Sequence, residues 1–135
     1  MIINGENLIL GRLATYTAKQ ALLGEKVDIV NAEKVVITGK KQDLLKRYKE
    51  RVDKGDPLKG PYFPRMPDRL VRRAIRTMLP YKKQRGTIAF KKIMCYMGTP
   101  DKFKDKDIKT LKSANIQESK TLNFMTVEEI CKRLK

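Results

Sequence analysis

The sequence predicts an α/β fold: one domain over residues 1–135, with a small parallel sheet at its centre and helices packed around it. Two observations predict it. Short runs of β-branched residues alternate with stretches of helical apolar period through the first 55 residues, the order expected when helices cover a parallel sheet. A length of 135 residues with 41% hydrophobic content also suits one core, which at this size buries about two-thirds of the unfolded chain's surface. No internal repeat or low-complexity tract interrupts the chain.

Ile2 and Ile3 predict a first strand. Leu10, Leu13, Ala14, Thr17, Ala18, Ala21 and Leu22 then recur at helical spacing, and Gly24 offers a left-handed stop. Val27–Asn31 and Val35–Thr38 are rich in β-branched residues and predict two strands facing the core, the second ended by Gly39. A helix from about Gln42 to Lys54 places Leu44, Leu45, Tyr48 and Val52 inward. From Gly55 to Pro67 four prolines forbid helix or central strand, so residues 55–67 are expected to form a stiffened basic connector with few internal hydrogen-bond partners. Asp68 is expected to cap a helix ending near Pro80. A shorter helix is expected over Thr87–Ile93, followed by a return of Met94–Met97 to the sheet. Residues 101–119 mix Lys and Asp with little period and are expected to be irregular. Thr126 and Glu129 then read as a capping box for a last helix with Val127, Ile130, Cys131 and Leu134 inward.

The charge distribution bears on the partner. The net charge is +16, and residues 40–92 carry 18 basic and 5 acidic groups while residues 1–39 carry 4 of each. Concentration in the middle of the chain suits one face of a folded body docked on phosphates. The absence of histidine removes the usual general base near neutral pH, and no nucleophile–base arrangement remains, so no catalytic residue is assigned. Thr38-Gly39-Lys40-Lys41 resembles the end of a phosphate-binding loop, but Lys34 stands where its first glycine belongs and Lys41 where Ser or Thr would hold magnesium. Asn4-Gly5 and Leu10-Gly11 do not make a dinucleotide fingerprint either. What remains at these helix starts is generic anion binding through Arg12, Lys40 and Lys41. Cys95 and Cys131 lie in separate apolar segments with no histidine to complete a metal shell, so both are expected to be buried thiols, with neither metal nor other cofactor. No run of about 18 apolar residues and no basic leader ahead of an apolar stretch is present, so no membrane contact is expected and the cytosol is the expected compartment.

The most informative segment is Asp68–Leu79. Leu70, Val71, Ala74, Ile75, Met78 and Leu79 form an apolar stripe, while Arg69, Arg72, Arg73 and Arg76 follow one another at i, i+3, i+4 and i+7 on another face. Like charges at that spacing repel, with no acidic residue inside the stripe to offset them, and all four are arginine, whose planar fork matches phosphate oxygens in pairs. Lys82, Lys83 and Arg85 follow the helix, and the connector adds Lys59 and Arg65 beside Tyr62 and Phe63, aromatics that suit either base stacking or the edge of the core. A single-domain RNA-binding protein with no small-molecule substrate is the reading these residues favour. A DNA-binding helix-turn-helix is disfavoured because residues 55–67 separate the two helices it would need.

Several ordered motifs resemble the universal ribosomal protein thirteen family of the large subunit: Leu10-Gly11-Arg12-Leu13-Ala14, Asn31-Ala32, Thr38-Gly39-Lys40, Met78-Leu79-Pro80, Arg85-Gly86 and Gly98-Thr99-Pro100. The resemblance covers nearly the whole chain and is loose after Asp101. It implies a parallel central sheet and a place in the large subunit among ribosomal RNA and neighbouring ribosomal proteins. It also implies a role early in assembly, with RNA contact through the Arg69–Arg76 helix and the Lys82–Arg85 loop. The proline connector and compact length are similar to the archaeal form, and Thr77 stands where many relatives carry glycine.

Overall fold

The computed structural model describes residues 1–134. Strand β1 (Ile2–Asn4) leads through helix α1 (Leu10–Leu22) to strand β2 (Val27–Val30), which returns parallel to β1 with Ile3 opposite Ile29. Helix α1 buries Leu10, Leu13, Ala14, Thr17, Ala18 and Ala21, the row that the apolar spacing marks. Gly24 ends it at φ +104°, a backbone conformation that side-chain-bearing residues rarely adopt, and its N–H reaches the Ala21 carbonyl at 3.1 Å.

Strand β3 (Val36–Thr38) is followed by helices α2 (Lys41–Asp53), α3 (Pro67–Thr77) and α4 (Gln84–Lys91), then by strands β4 (Ile93–Cys95), β5 (Ile108–Lys109) and β6 (Phe124–Thr126) and helix α5 (Val127–Arg133). The central sheet has the order β4-β2-β1-β5 with every pair parallel, as the fold class predicts. All four residues of β2 are buried. Because successive strand side chains point to opposite faces, both faces of the sheet are therefore covered at its centre. Ile3, Leu13, Val27, Ile29, Val71, Ile75, Ile93 and Ile130 make the inaccessible heart of one core.

Several expectations are corrected. Val36–Thr38 does not join the parallel sheet. It pairs antiparallel with β6 in a separate two-stranded sheet, Val36 opposite Thr126, and touches the end of the β1–α1 loop through Ile9. The segment read as irregular contains β5, which extends the central sheet beside β1. Asp68 does not cap α3: Met66 holds the cap position and Pro67 the first helical turn, where its missing N–H costs nothing, leaving the buried Asp68 Oδ1 without a hydrogen-bond partner. Helix α4 begins three residues before Thr87, and the returning strand is Ile93–Cys95 rather than Met94–Met97. At α5 the Thr126 hydroxyl accepts from the Glu129 N–H at 3.2 Å, the contact that the capping pair predicts.

Among the described residues no helix is long and apolar enough to cross a membrane, and no cluster of three or more His, Cys, Asp or Glu side chains suits a metal ion. Both cysteines are buried, and burial pushes the Cys95 thiol up to about 12. Its thiolate, the reactive form, is therefore disfavoured in the fold. A folded-state value above the unfolded one means that the stabilisation linked to this thiol is complete below pH 9 and is lost as pH rises from about 9 to about 12. At pH 8, Cys95 should stay unmodified by a disulfide-exchange reagent in the native protein and react within minutes in guanidinium; rapid native labelling would show that the site opens.

Candidate nucleic-acid interface

Helix α3 positions the arginines. Leu70, Val71, Ile75 and Leu79 are buried against the core, whereas Ala74 is half-buried and Met78 is 43% exposed, so the inner stripe is narrower than the spacing suggests. The opposite side carries Arg69, Arg73 and Arg76, all exposed.

Three of the four guanidiniums lie on aromatic rings. Arg76 sits 4.6 Å from the Tyr81 centroid, Arg73 4.8 Å from Phe63 and Arg72 4.5 Å from Phe90. Each such contact contributes about 0.5–1 kcal/mol at an exposed site, and it holds the guanidinium plane while leaving N–H groups at its edge for other acceptors. Arg72 differs from the others. It is half-buried, and its Nε donates to the Ile93 carbonyl at 3.1 Å, tying α3 to β4. The arginine row is thus three outward guanidiniums and one structural tie.

Around α3 the structure gathers further cations. Arg12, Thr15 and Lys19 lie along the open side of α1; Thr15 and Lys19 share a groove with Met78 and Arg85, and Arg85 shares the next with Lys92. Arg12 is anchored by its own Nη1, which donates to the Ser113 carbonyl at 3.0 Å. On the other flank, Arg73 and Arg51 face a hollow whose Phe63 wall continues to Arg65 of the connector. A band therefore runs from Arg12 through Lys19 and Arg85 to Arg76, Arg73, Arg51 and Arg65. Lys82 and Lys83 belong to the turn between α3 and α4, beside Tyr81 and Arg85. Lys40 and Lys41 stand at the start of α2, about 16 Å from Arg51 at about 1.5 Å per residue. Lys59 lies on the exposed tip of the connector.

The connector itself is better tied than the sequence suggests. Asp56 and Gly60 exchange backbone hydrogen bonds of 3.2 and 2.8 Å, and the Tyr62 hydroxyl donates back to the Leu58 carbonyl at 3.0 Å. Phe63 packs edge-on against Tyr48 with centroids 6.0 Å apart, so it closes the core margin and carries Arg73, whereas Tyr62 is 70% exposed.

The α3–α4 turn depends on close backbone contact. A Cβ added at Gly86 would lie 2.1 Å from the Pro80 carbonyl oxygen, so only glycine lets α4 start there. Among the described residues the three ion pairs, Lys34–Glu6, Lys104–Asp101 and Lys132–Glu128, all lie outside the band. Its cations are left for an external anion. Arg51, Lys19 and Lys92 are members that the motif reading does not name. Arg51 was detectable, because it follows Tyr48 by three residues on α2 and stacks on it at 5.3 Å.

Two substitutions separate scaffold from surface. Gly86→Ala removes no charge but displaces the Pro80–Gly86 turn, and should cost about 1–3 kcal/mol in denaturant unfolding. Arg72→Gln should lower stability by about 1–2 kcal/mol, through the lost tie to Ile93, while Arg69→Gln should change it by less than about 0.5 kcal/mol. Equal stability losses at Arg72 and Arg69 would contradict the inward role of Arg72.

Comparison with known proteins gives the family. The profile of a family described as Ribosomal protein L13 matches residues 1–102. The protein from Archaeoglobus fulgidus called Large ribosomal subunit protein uL13 is 41% identical over 134 residues, covering 98% of this chain and 86% of that one. Proteins of the same name from Methanosarcina barkeri and Methanocaldococcus jannaschii are 41% and 43% identical, each covering 98% of this chain and 96% of theirs. With its parallel sheet, its arginine-bearing α3 and these relatives along nearly its full length, the chain belongs to the ribosomal protein L13 family.

Proposed function

We propose that this protein is a structural component of the large ribosomal subunit that binds ribosomal RNA through the band centred on α3, and that it joins the subunit early in assembly. The single observation that carries the RNA reading is the set of outward guanidiniums on α3, two of them, Arg73 and Arg76, stacked on rings, and none paired with an acid among the described residues. Family membership and the names of the relatives support the ribosomal setting. No catalytic step is assigned to it. The contacts are with phosphates: a rigid row of arginine forks along one helix can meet successive backbone oxygens, which positions the domain on folded RNA without reading its sequence. Arg12, Arg65, Lys82, Lys83 and Arg85 extend the contact on both sides, and Lys40, Lys41 and Lys59 reach RNA that continues past the band.

The early place in assembly rests on membership of the family, and fast electrostatic steering of the unpaired cations toward RNA at low salt is compatible with it.

Changing Arg69, Arg73 and Arg76 together to Gln should flatten the plot of log affinity for large-subunit RNA against log salt by about 2.7, at about 0.9 for each phosphate no longer neutralised on the duplex scale. The control is Lys104, Lys106 and Lys109 to Gln, which removes equal charge from residues 101–109 and should flatten it much less. If both triple variants, folded by circular dichroism, lose the same slope, the positive field is diffuse and α3 is not the docking element.

A further inference from the structure

Between α2, α3 and the connector lies a hollow of about 200 Å³, lined by Tyr48, Arg51, Phe63, Leu70, Arg73 and Thr77, with Ala74 at its floor. It is smaller than the about 300–1,000 Å³ of sites that take drug-sized ligands, so its occupant is about one planar ring system. Its walls are unusual for a surface dimple. Arg51 lies 5.3 Å from the Tyr48 centroid and Arg73 4.8 Å from Phe63, so two guanidiniums are held at its rim by rings beneath them. Leu70 and Ala74 give it an apolar base. The Thr77 hydroxyl spends its one hydrogen on the Ala74 carbonyl at 2.7 Å, and what it offers outward is therefore only lone pairs.

An apolar floor, flat cationic walls and one acceptor match a nucleobase: the ring stacks against guanidinium planes, an amino group donates to Thr77 Oγ1, and the attached phosphates meet Arg51 and Arg73. We propose that this hollow is a receptor for a single unpaired, amino-bearing nucleobase of the bound RNA. The inference rests on the RNA-binding reading and adds to it a contact that depends on a base, where the arginine row depends on phosphates alone. An unpaired base on a helical RNA strand would anchor the domain at one nucleotide and set its register, which a row of phosphate contacts cannot do by itself.

The test uses the full chain in two arms. In the first, isotope-labelled protein is titrated with adenosine 5′-monophosphate and, separately, with ribose 5-phosphate. The nucleotide should shift the amide signals of Leu70, Arg73, Ala74 and Thr77, and the sugar phosphate should leave Leu70 and Ala74 unmoved. In the second, affinity for large-subunit ribosomal RNA is measured for Ala74→Leu, which fills the hollow at little cost in helix propensity, and for Thr77→Val, which removes the acceptor but keeps the shape. Affinity should fall about tenfold for the first and about threefold for the second, with the salt slope of the wild type retained, because no cation is lost. Thr77→Val decides the matter if Ala74→Leu does not fold. Equal shifts from the sugar phosphate would reduce the hollow to a phosphate site and overturn the proposal. So would wild-type RNA affinity in the folded variants, whether AMP binds weakly or tightly; tight binding would make a free nucleotide the ligand. These failures leave the salt slope standing, whereas a wild-type protein without salt-dependent binding to the RNA would sink the RNA-binding reading itself.

Discussion

Everything that the chain presents to a polyanion depends on how firmly α3 is seated. Its buried side chains Leu70, Val71 and Ile75, and Leu79 just past its end, are each worth about 1.5–3 kcal/mol on transfer from water. Against them stand the like-charge neighbours of the arginine row, four pairs at i,i+3 or i,i+4 that each cost about 0.2–0.5 kcal/mol in a helix. Burial wins by several-fold. The helix can therefore carry a density of positive charge that would weaken it in isolation, and Arg72 adds to the seating by bonding the carbonyl of Ile93 in the neighbouring strand.

The aromatic residues make that charge usable. A free arginine side chain gives up about 2 kcal/mol of rotamer freedom when it is fixed on a phosphate. Stacking on Phe63 and Tyr81 fixes part of that freedom in the folded protein before any ligand arrives. Phe63 does this only because Tyr48 holds it from α2, and Tyr81 only because the turn from Pro80 to Gly86 is tight enough to fold the chain back beside α3. The connector and the α3–α4 turn are thus parts of the interface although neither is regular structure.

Local pattern made some of this legible. The period of α1, the β-branched run of β2, the two faces of α3 and the Thr126–Glu129 cap all act within a few residues and were readable as such. Long-range pairing was not. Ile108 and Lys109 form a strand because β1 lies beside them, and nothing in a stretch of Lys and Asp announces it. Val36 pairs with Thr126, ninety residues away, so its β-branched neighbourhood gave the strand but not the sheet it joins. The same division holds at the interface. The arginine spacing placed Arg69, Arg73 and Arg76 on one open side. The inward turn of Arg72 depends on Phe90 and Ile93, which are distant in sequence, and Asp68 falls inside the helix because Pro67 starts it, with Met66 at the cap.

The distribution of charge follows from the distribution of these roles. Residues 1–39 build β1, α1, β2 and β3, the framework of the core, and their equal numbers of acids and bases leave no net field. In the last third, Asp101 and Glu128 pair with Lys104 and Lys132, so part of the positive charge there is neutralised within the chain. In the middle third no cation has an acidic partner among the described residues, and there the cations stand on helices anchored to the core, and on the connector and turn that those helices hold, rather than on a tail. A flexible basic tail would bind RNA with the same charge but would have to lose its chain entropy on docking. Placing the charge on α3 and its neighbours shifts that ordering cost from binding to folding, where the buried stripe of α3 offsets it.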